Sequence, residues 1–552
     1  MDTIKEIKKI ETDHSSFGGS VKAIASKSHA HRLLIAAALS EAEELFIECS
    51  ETSADINATA ACMSAMGAEI TRVDNGFTVK PIPQIHMTNN PDHVSKLTQA
   101  DSKYYNNALT NGSSDSINDI IRMDAGESGS TLRFLLPVIG VLGLNTEITT
   151  HGRLSARPLS PLYEEMQRCG VTLSPQGSNP LTLSGKMSGG VYTIAGNISS
   201  QYITGLLFAL PLAETDSEIR ITGELASRPY VDITLDVLKE AGIIIDEIIP
   251  KHDPVMLSNN AFNNIGNSDN SDNEEDHSAD DTIKAHHSDN LSTMQPAENI
   301  SLIFRIRGGQ HYSLPAHCIV EGDWSNAAFF LAAGAIAEKP VTVRRLNMNS
   351  KQGDKDILRL LKLYGADVTI SPSAGDKRSS TIDTAESYTD NGERSSDTDN
   401  TSNTISNNDS TFRTGLSDIM ITPRPLHGIE IDAENIPDLV PILSLVASVA
   451  EGTTTIRNIE RLRIKESDRV ATVIDTLTRL GADIHEENKC LVISGKPSLT
   501  GGTVDSYNDH RIAMTAAIAS IRCEKPVIIN DPMAVNKSYP GFYTDFDSML
   551  CS

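Results

Sequence analysis

Residues 477–487, LTRLGADIHEE, read as the end of an amphipathic helix, a glycine and the start of a strand. Val470, Ile474, Leu477 and Leu480 make one apolar face, and Gly481 suits the left-handed backbone that closes a helix. The same junction recurs as MSAMGAEITRV (63–73), MQRCGVTLSP (166–175), LKEAGIIIDEI (238–248) and LKLYGADVTIS (361–371). Three stretches poor in large apolar residues and rich in Ser, Asn and Asp interrupt the series: 88–118, 252–299 and 372–412. They are expected to be disordered surface loops. With them set aside, Gly67, Gly170, Gly242, Gly365 and Gly481 fall 72 to 75 residues apart. A common junction explains each occurrence but not the regular spacing, so the expectation is an α/β protein built from units of about 70 residues.

The chain has 552 residues, 39% of them apolar, enough for two to four domains with proper cores. Its net charge is −26, more than half of it in the three polar stretches, so the folded remainder is far closer to neutral. That balance speaks against nucleic acid or an anionic membrane as partner. The N-terminus MDTIKEIKKIETDHSS lacks the apolar stretch of a signal peptide, and no window holds eighteen uninterrupted apolar residues. A cytoplasmic protein is expected. Seven cysteines (Cys49, Cys62, Cys169, Cys318, Cys490, Cys523, Cys551) lack C-x-x-C spacing, which argues for reduced thiols and against a zinc site.

Cations gather at helix starts. IKESDR (464–469) leads into RVATVIDTLTRL, with Ser467 or Asp468 as N-cap and Arg469 in the first turn. A cation there opposes the helix dipole by a few tenths of a kcal/mol up to about 1 kcal/mol. SKSHAHR (26–32) places Lys27 and Arg32 at another start, GESGSTLRF (126–134) places Arg133, and YNDHRIAM (507–514) places His510 and Arg511. Free N–H groups, serine hydroxyls, close-approach glycines and cations together make anion sites. Arg157, Ser199, Ser200, Gln201, Ser227, Arg228 and Lys537 lie in turn-like contexts and could join them. Solvation explains each cation singly; several around one cleft would mean a small polyanion. DAGESGST lacks both the P-loop lysine and the dinucleotide fingerprint, so no nucleotide site is expected. Two carboxylates stand among these cations. Asp438, after Pro437, is either the N-cap of an apolar helix or half of an acid/base pair with Glu466.

Together with ARPLSPL (156–162), SSQYITGLL (199–207), SRPYVDITL (227–235), VEGDWSNAAFFLAAGAI (320–336), IPDLVPILSLVA (436–447) and DPMAVNKSYPGF (531–542), these motifs resemble the enolpyruvyl transferases from about residue 18 onward. The resemblance implies a two-domain inside-out α/β barrel, each domain of three βαβαββ units. Residues 25–321 would form one domain, and 1–24 with 322–552 the other. It implies transfer of the enolpyruvyl group of phosphoenolpyruvate to the 5-hydroxyl of shikimate 3-phosphate by addition and elimination, in a monomer with no metal or organic cofactor. By resemblance, Lys27, Gly129, Arg157, Arg469, Arg511 and Lys537 meet phosphoenolpyruvate, Arg133 supports that site and Gln201 lies between the substrates. Lys27, Ser28, Arg32, Ser199, Ser200, Ser227, Tyr230, Asp438, Arg461 and Lys465 meet shikimate 3-phosphate. Asp438 would take the 5-hydroxyl proton and Glu466, assisted by Lys27, would exchange the proton at C3. Four positions depart from the pattern: Ala25 for a usual glycine, Glu127 for a frequent Asn, Arg228 for a frequent Lys, and Arg461 for an Asn found in some members. The sister enzymes acting on UDP-N-acetylglucosamine carry K-N where this chain has Lys27-Ser28, and a cysteine in the loop that here reads HGRLSARP. A catalytically inert binding protein is the alternative from another class.

Overall fold

The computed structural model describes residues 6–12, 16–83, 120–250, 299–373 and 415–550. The polar stretches expected to be loops lie outside these residues, with a correction at their edges. Pro372 ends a strand opposite Ser417, and the Asn299 carbonyl accepts from the Gly223 amide. These residues carry backbone pairing that composition does not register.

The repeating unit is a strand, a helix, a parallel strand, a second helix and a final antiparallel pair. It is seen whole in Ile121–Asp124, Gly129–Leu142, Thr146–Thr149, Leu162–Arg168, Val171–Leu173 and Leu181–Gly185. Five four-stranded sheets share one order, and a three-stranded sheet makes a sixth unit. The five repeat glycines have φ between 77° and 113° and follow the second helix of their units. The sixth unit lacks that signature because its antiparallel slot is filled from a distance, by Ile7–Ile10 against Val527–Asn530.

The first helix of each unit is apolar nearly all round, which fits only an interior. All nine residues of Val440–Ser448 and all ten of His510–Ala519 are buried, and both pack on Trp324–Ile336. Gly129–Leu142 packs on Ser200–Ala209, where a Cβ at Gly205 would stand 2.4 Å from the Arg133 carbonyl oxygen. Only glycine permits that approach. Sheets thus lie outside and helices inside, around two apolar cores, one spanning Ala30 to Val320 and the other Ile10 to Ile24 with Trp324 to Met549. Each fully buried Leu, Ile or Phe adds about 1.5–3 kcal/mol.

The two sets exchange strands. His317–Ile319 pairs with Leu45–Glu48, and Gly19–Lys22 pairs with Val341–Asn347. The two crossings lie side by side: Ala25 bridges Gly322, the Ser26 amide donates to Glu321 at 2.8 Å, and the Asp323 amide to Ile24 at 2.8 Å. This brings the starts of Lys27–Ala38 and Trp324–Ile336 together, and the Asp323 carboxylate accepts from the amides of both Asn326 (2.7 Å) and Lys27 (3.0 Å).

Candidate active site

Between the two cores lies a cleft whose walls are helix starts. Their N-caps are Ser26, Ser128, Ser199, Asp323, Asp468 and Asp509, each accepting an amide of its own first turn. The caps fix the backbone, and the residues after them aim cations inward. Lys27, Arg32, Arg133, Arg157, Arg461, Lys465, Arg469 and Arg511 line the cleft, and among the described residues the acids that line it with them are Asp323, Asp438 and Glu466. An acidic chain therefore holds a strongly basic cavity.

Arg469, 1% exposed, is its hub. One guanidinium nitrogen reaches Asp438 at 2.6 Å, another Glu466 at 2.6 Å, and Nε reaches Asp509 at 2.8 Å. Asp438 also accepts from the Tyr230 hydroxyl at 2.6 Å and faces Arg511 at 3.4 Å and Lys465 at 3.5 Å. It caps no helix, since its carboxylate is taken by these partners and Leu439 precedes Val440–Ser448 without a side-chain cap. Burial alone would raise the Asp438 carboxyl, but Arg511, Lys465 and Arg469 hold it well below the usual range. Glu466 is likewise lowered: burial works upward, and Arg469, Arg157, His510 and Lys27 outweigh it. Burial works against the Lys27 ammonium, but Asp55 at 3.0 Å and then Glu466 raise it, so it stays charged at neutral pH.

Of the residues marked in the sequence, Ser28, Ser199, Ser200, Gln201, Ser227 and Tyr230 also line the cleft. Gln201 accepts from Arg133 at 3.3 Å and donates to Ser130 at 3.0 Å. Arg461 donates to Ser227 at 2.8 Å across the cleft, and Arg157 to the Ile464 carbonyl at 3.2 Å. Gly129 lies behind the wall, where a Cβ would come within 2.6 Å of an Arg157 nitrogen and 2.7 Å of an Arg133 nitrogen. Arg32 spends its guanidinium on Thr234, the Ser28 carbonyl and the Tyr230 carbonyl, bracing the wall from inside.

Besides Gly129, two candidates lie outside the cleft lining. Lys537 is at the rim, outside the cleft lining, with its ammonium 2.7 Å from Glu127. Arg228 turns away to Asp232 at 2.6 Å and Glu247 at 2.7 Å, because nearby carboxylates compete for it. Residues missed in the sequence are mostly the cations' partners: Asp55, Asp323, Asp354 and Asp509. Asp354 is 2% exposed and accepts from Ser325 of the cleft wall, and its other oxygen has no partner among the described residues. Burial, and then Asp438, push its carboxyl up to about 7. Buried nitrogens of Arg133, Arg461, Arg511 and His510 also lack partners among the described residues. A donor left so costs about 1–3 kcal/mol, which an anionic ligand would offset.

The profile of one family, EPSP synthase (3-phosphoshikimate 1-carboxyvinyltransferase), matches residues 12–100, 94–254 and 295–546. The chain belongs to the EPSP synthase family. A 3-phosphoshikimate 1-carboxyvinyltransferase of Clostridium novyi (strain NT) is 35% identical over 97% of this chain and 96% of its own length. One from Clostridium perfringens (strain 13 / Type A) is 34% identical over 98% of each. A 2.37 Å structure of EPSP synthase from Acinetobacter baumannii superimposes with a TM-score of 0.64 at 20% identity, covering 98% of both chains. The EPSP synthase fold, a two-domain inside-out α/β barrel, is thus the architecture seen here. Membership carries the family's reaction, transfer of a carboxyvinyl group in the shikimate pathway. No helix among the described residues is long and apolar enough to cross a membrane.

Proposed function

We propose that the cleft joins phosphoenolpyruvate to shikimate 3-phosphate, with both substrates held by the convergent cations and Asp438 and Glu466 moving the protons. The observation that carries this is the bridging of those two buried carboxylates by Arg469 within a basic cavity. Asp438 takes the proton as the 5-hydroxyl oxygen bonds to C2 of phosphoenolpyruvate, and C3 gains a proton passed through Glu466 from the charged Lys27 ammonium. The tetrahedral adduct then breaks its C2–O bond to release phosphate and returns a C3 proton. A carboxylate with so low a proton affinity is a weak base until something relieves the cations around it. The substrate phosphates and carboxylate do so, which ties base strength to the loaded state. The cationic carbon that develops at C2 is stabilised by the carboxylates, and the anions by the arginines.

Lys27, Gly129, Arg133, Arg157, Arg469, Arg511 and Lys537 are assigned to phosphoenolpyruvate. Lys27 also reaches shikimate 3-phosphate together with Ser28, Arg32, Ser199, Ser200, Ser227, Tyr230, Asp438, Arg461 and Lys465, and Gln201 lies between the two. Residues 25–321 form one domain, and 1–24 with 322–552 the second, in a cytoplasmic monomer. The test is acceptor choice: phosphate release from phosphoenolpyruvate should require shikimate 3-phosphate, and support by UDP-N-acetylglucosamine instead would overturn the assignment.

A further inference from the structure

Glu127 joins the two halves of the molecule at the cleft rim. Its carboxylate is 2.7 Å from the Lys537 ammonium and accepts from the Asn508 side-chain amide at 3.0 and 2.8 Å. Lys537 also donates to the Asn508 carbonyl, so the three residues close a ring. The seat for this contact is built on both sides. On one, Gly126 takes φ 58° with its amide on Asp124 at 2.8 Å and its carbonyl on the His151 amide at 2.8 Å, which fixes the Glu127 backbone. Gly152, at φ 55°, leaves room for the carboxylate, whose oxygen a Cβ there would overlap. On the other, Tyr507, Asn508 and Asp531 hold left-handed backbone at 55°, 54° and 56°, turning Asn508 and Lys537 toward the rim. Non-glycine residues keep such conformations where the surroundings over-determine them, and they cluster at functional clamps.

Two of the three Lys537 protons are directed by Glu127 and Asn508, which leaves one for an anion. We infer that Glu127 is a positioning residue for phosphoenolpyruvate: it aims Lys537 and latches the rim, coupling this substrate to the approach of the two halves. The inference rests on the assignment of Lys537 proposed above. A long lysine held in place beforehand loses less rotamer freedom on binding, so the latch acts on affinity and not on the chemical step.

The experiment compares kcat and both KM values for the unsubstituted chain, Glu127→Ala, Glu127→Gln, Asn508→Ala and the Glu127→Ala/Asn508→Ala double variant, with thermal melting to show each is folded. Expected is a KM for phosphoenolpyruvate about tenfold higher in Glu127→Ala, with kcat and the KM for shikimate 3-phosphate within about twofold. Asn508→Ala should change the same constant less, and the double variant no more than Glu127→Ala alone, because one ring is lost once. An unchanged KM, equal loss toward both substrates, or a lowered KM in Glu127→Gln would overturn the inference. If the unsubstituted chain turns over neither substrate, the reaction assignment fails instead and small-angle scattering decides. A larger radius of gyration for Glu127→Ala upholds the latch, and an equal radius overturns it.

Discussion

The guanidinium of Arg469 stands 2.6 Å from the Asp438 carboxylate, and its second arm is as close to Glu466. One buried cation thus sets both carboxylates proposed to move protons, and Asp509 anchors it from behind at 2.8 Å. Arg469→Met would leave the fully buried Asp509 without its cation and take the shortest partner from Asp438 and Glu466. A loss of about 3–5 kcal/mol is expected in chemical denaturation, the cost of removing one partner from a buried pair.

Glu466→Gln keeps the shape of the side chain and removes its ability to give and take the C3 proton. Turnover should fall about 10²–10⁴-fold, the usual share of a positioned acid or base. Deuterium entry at C3 of phosphoenolpyruvate in heavy water, followed by NMR, should slow with it, while the melting temperature should change little.

Gly129→Ala places a methyl group against the tips of Arg157 and Arg133. Flexible ends can yield, so stability should move by less than about 1 kcal/mol. The anion they hold should not be indifferent: KM for phosphoenolpyruvate is expected to rise several-fold, with KM for shikimate 3-phosphate unchanged.

Asp354 gives a pH dependence of definite sign. Burial, and then Asp438, raise its folded carboxyl to about 7, whereas an unfolded Asp titrates near 3.9. The folded form binds the extra proton, so its contribution is full below about pH 4 and is lost as pH rises to about 7. The Asp438 and Glu466 carboxyls, both lowered, act oppositely: their contribution is present above about pH 4 and is lost as acid protonates them. Denaturant midpoints from pH 4 to pH 8 should therefore fall less for Asp354→Asn than for the unsubstituted chain.

The fold was legible where local chemistry decides it. Gly67, Gly170, Gly242, Gly365 and Gly481 announce themselves because a positive φ after a helix selects glycine. The sixth unit was not, since Ile7–Ile10 reaches its sheet from the far end of the sequence and no local signal records that pairing. In the site, Lys27, Arg133, Arg469 and Arg511 could be read from their places at helix starts. What competes for a cation could not: Arg461, Arg463 and Lys465 look alike in sequence, yet Arg463 is drawn out by Glu486 at 2.6 Å while the other two line the cleft. Asp354, Asp509 and Asp55 were missed for the same reason, because a buried counter-charge is defined by what tertiary packing places against it.

The most direct measurement is phosphate release from phosphoenolpyruvate and shikimate 3-phosphate by the unsubstituted chain and by Asp438→Asn, each shown to be folded. The expected result is steady release by the former and a drop of about 10²–10⁴-fold in kcat for the latter, with both KM values within a few-fold. Equal turnover by the two would contradict the role of Asp438, and no release by either would contradict the reaction assigned to the cleft.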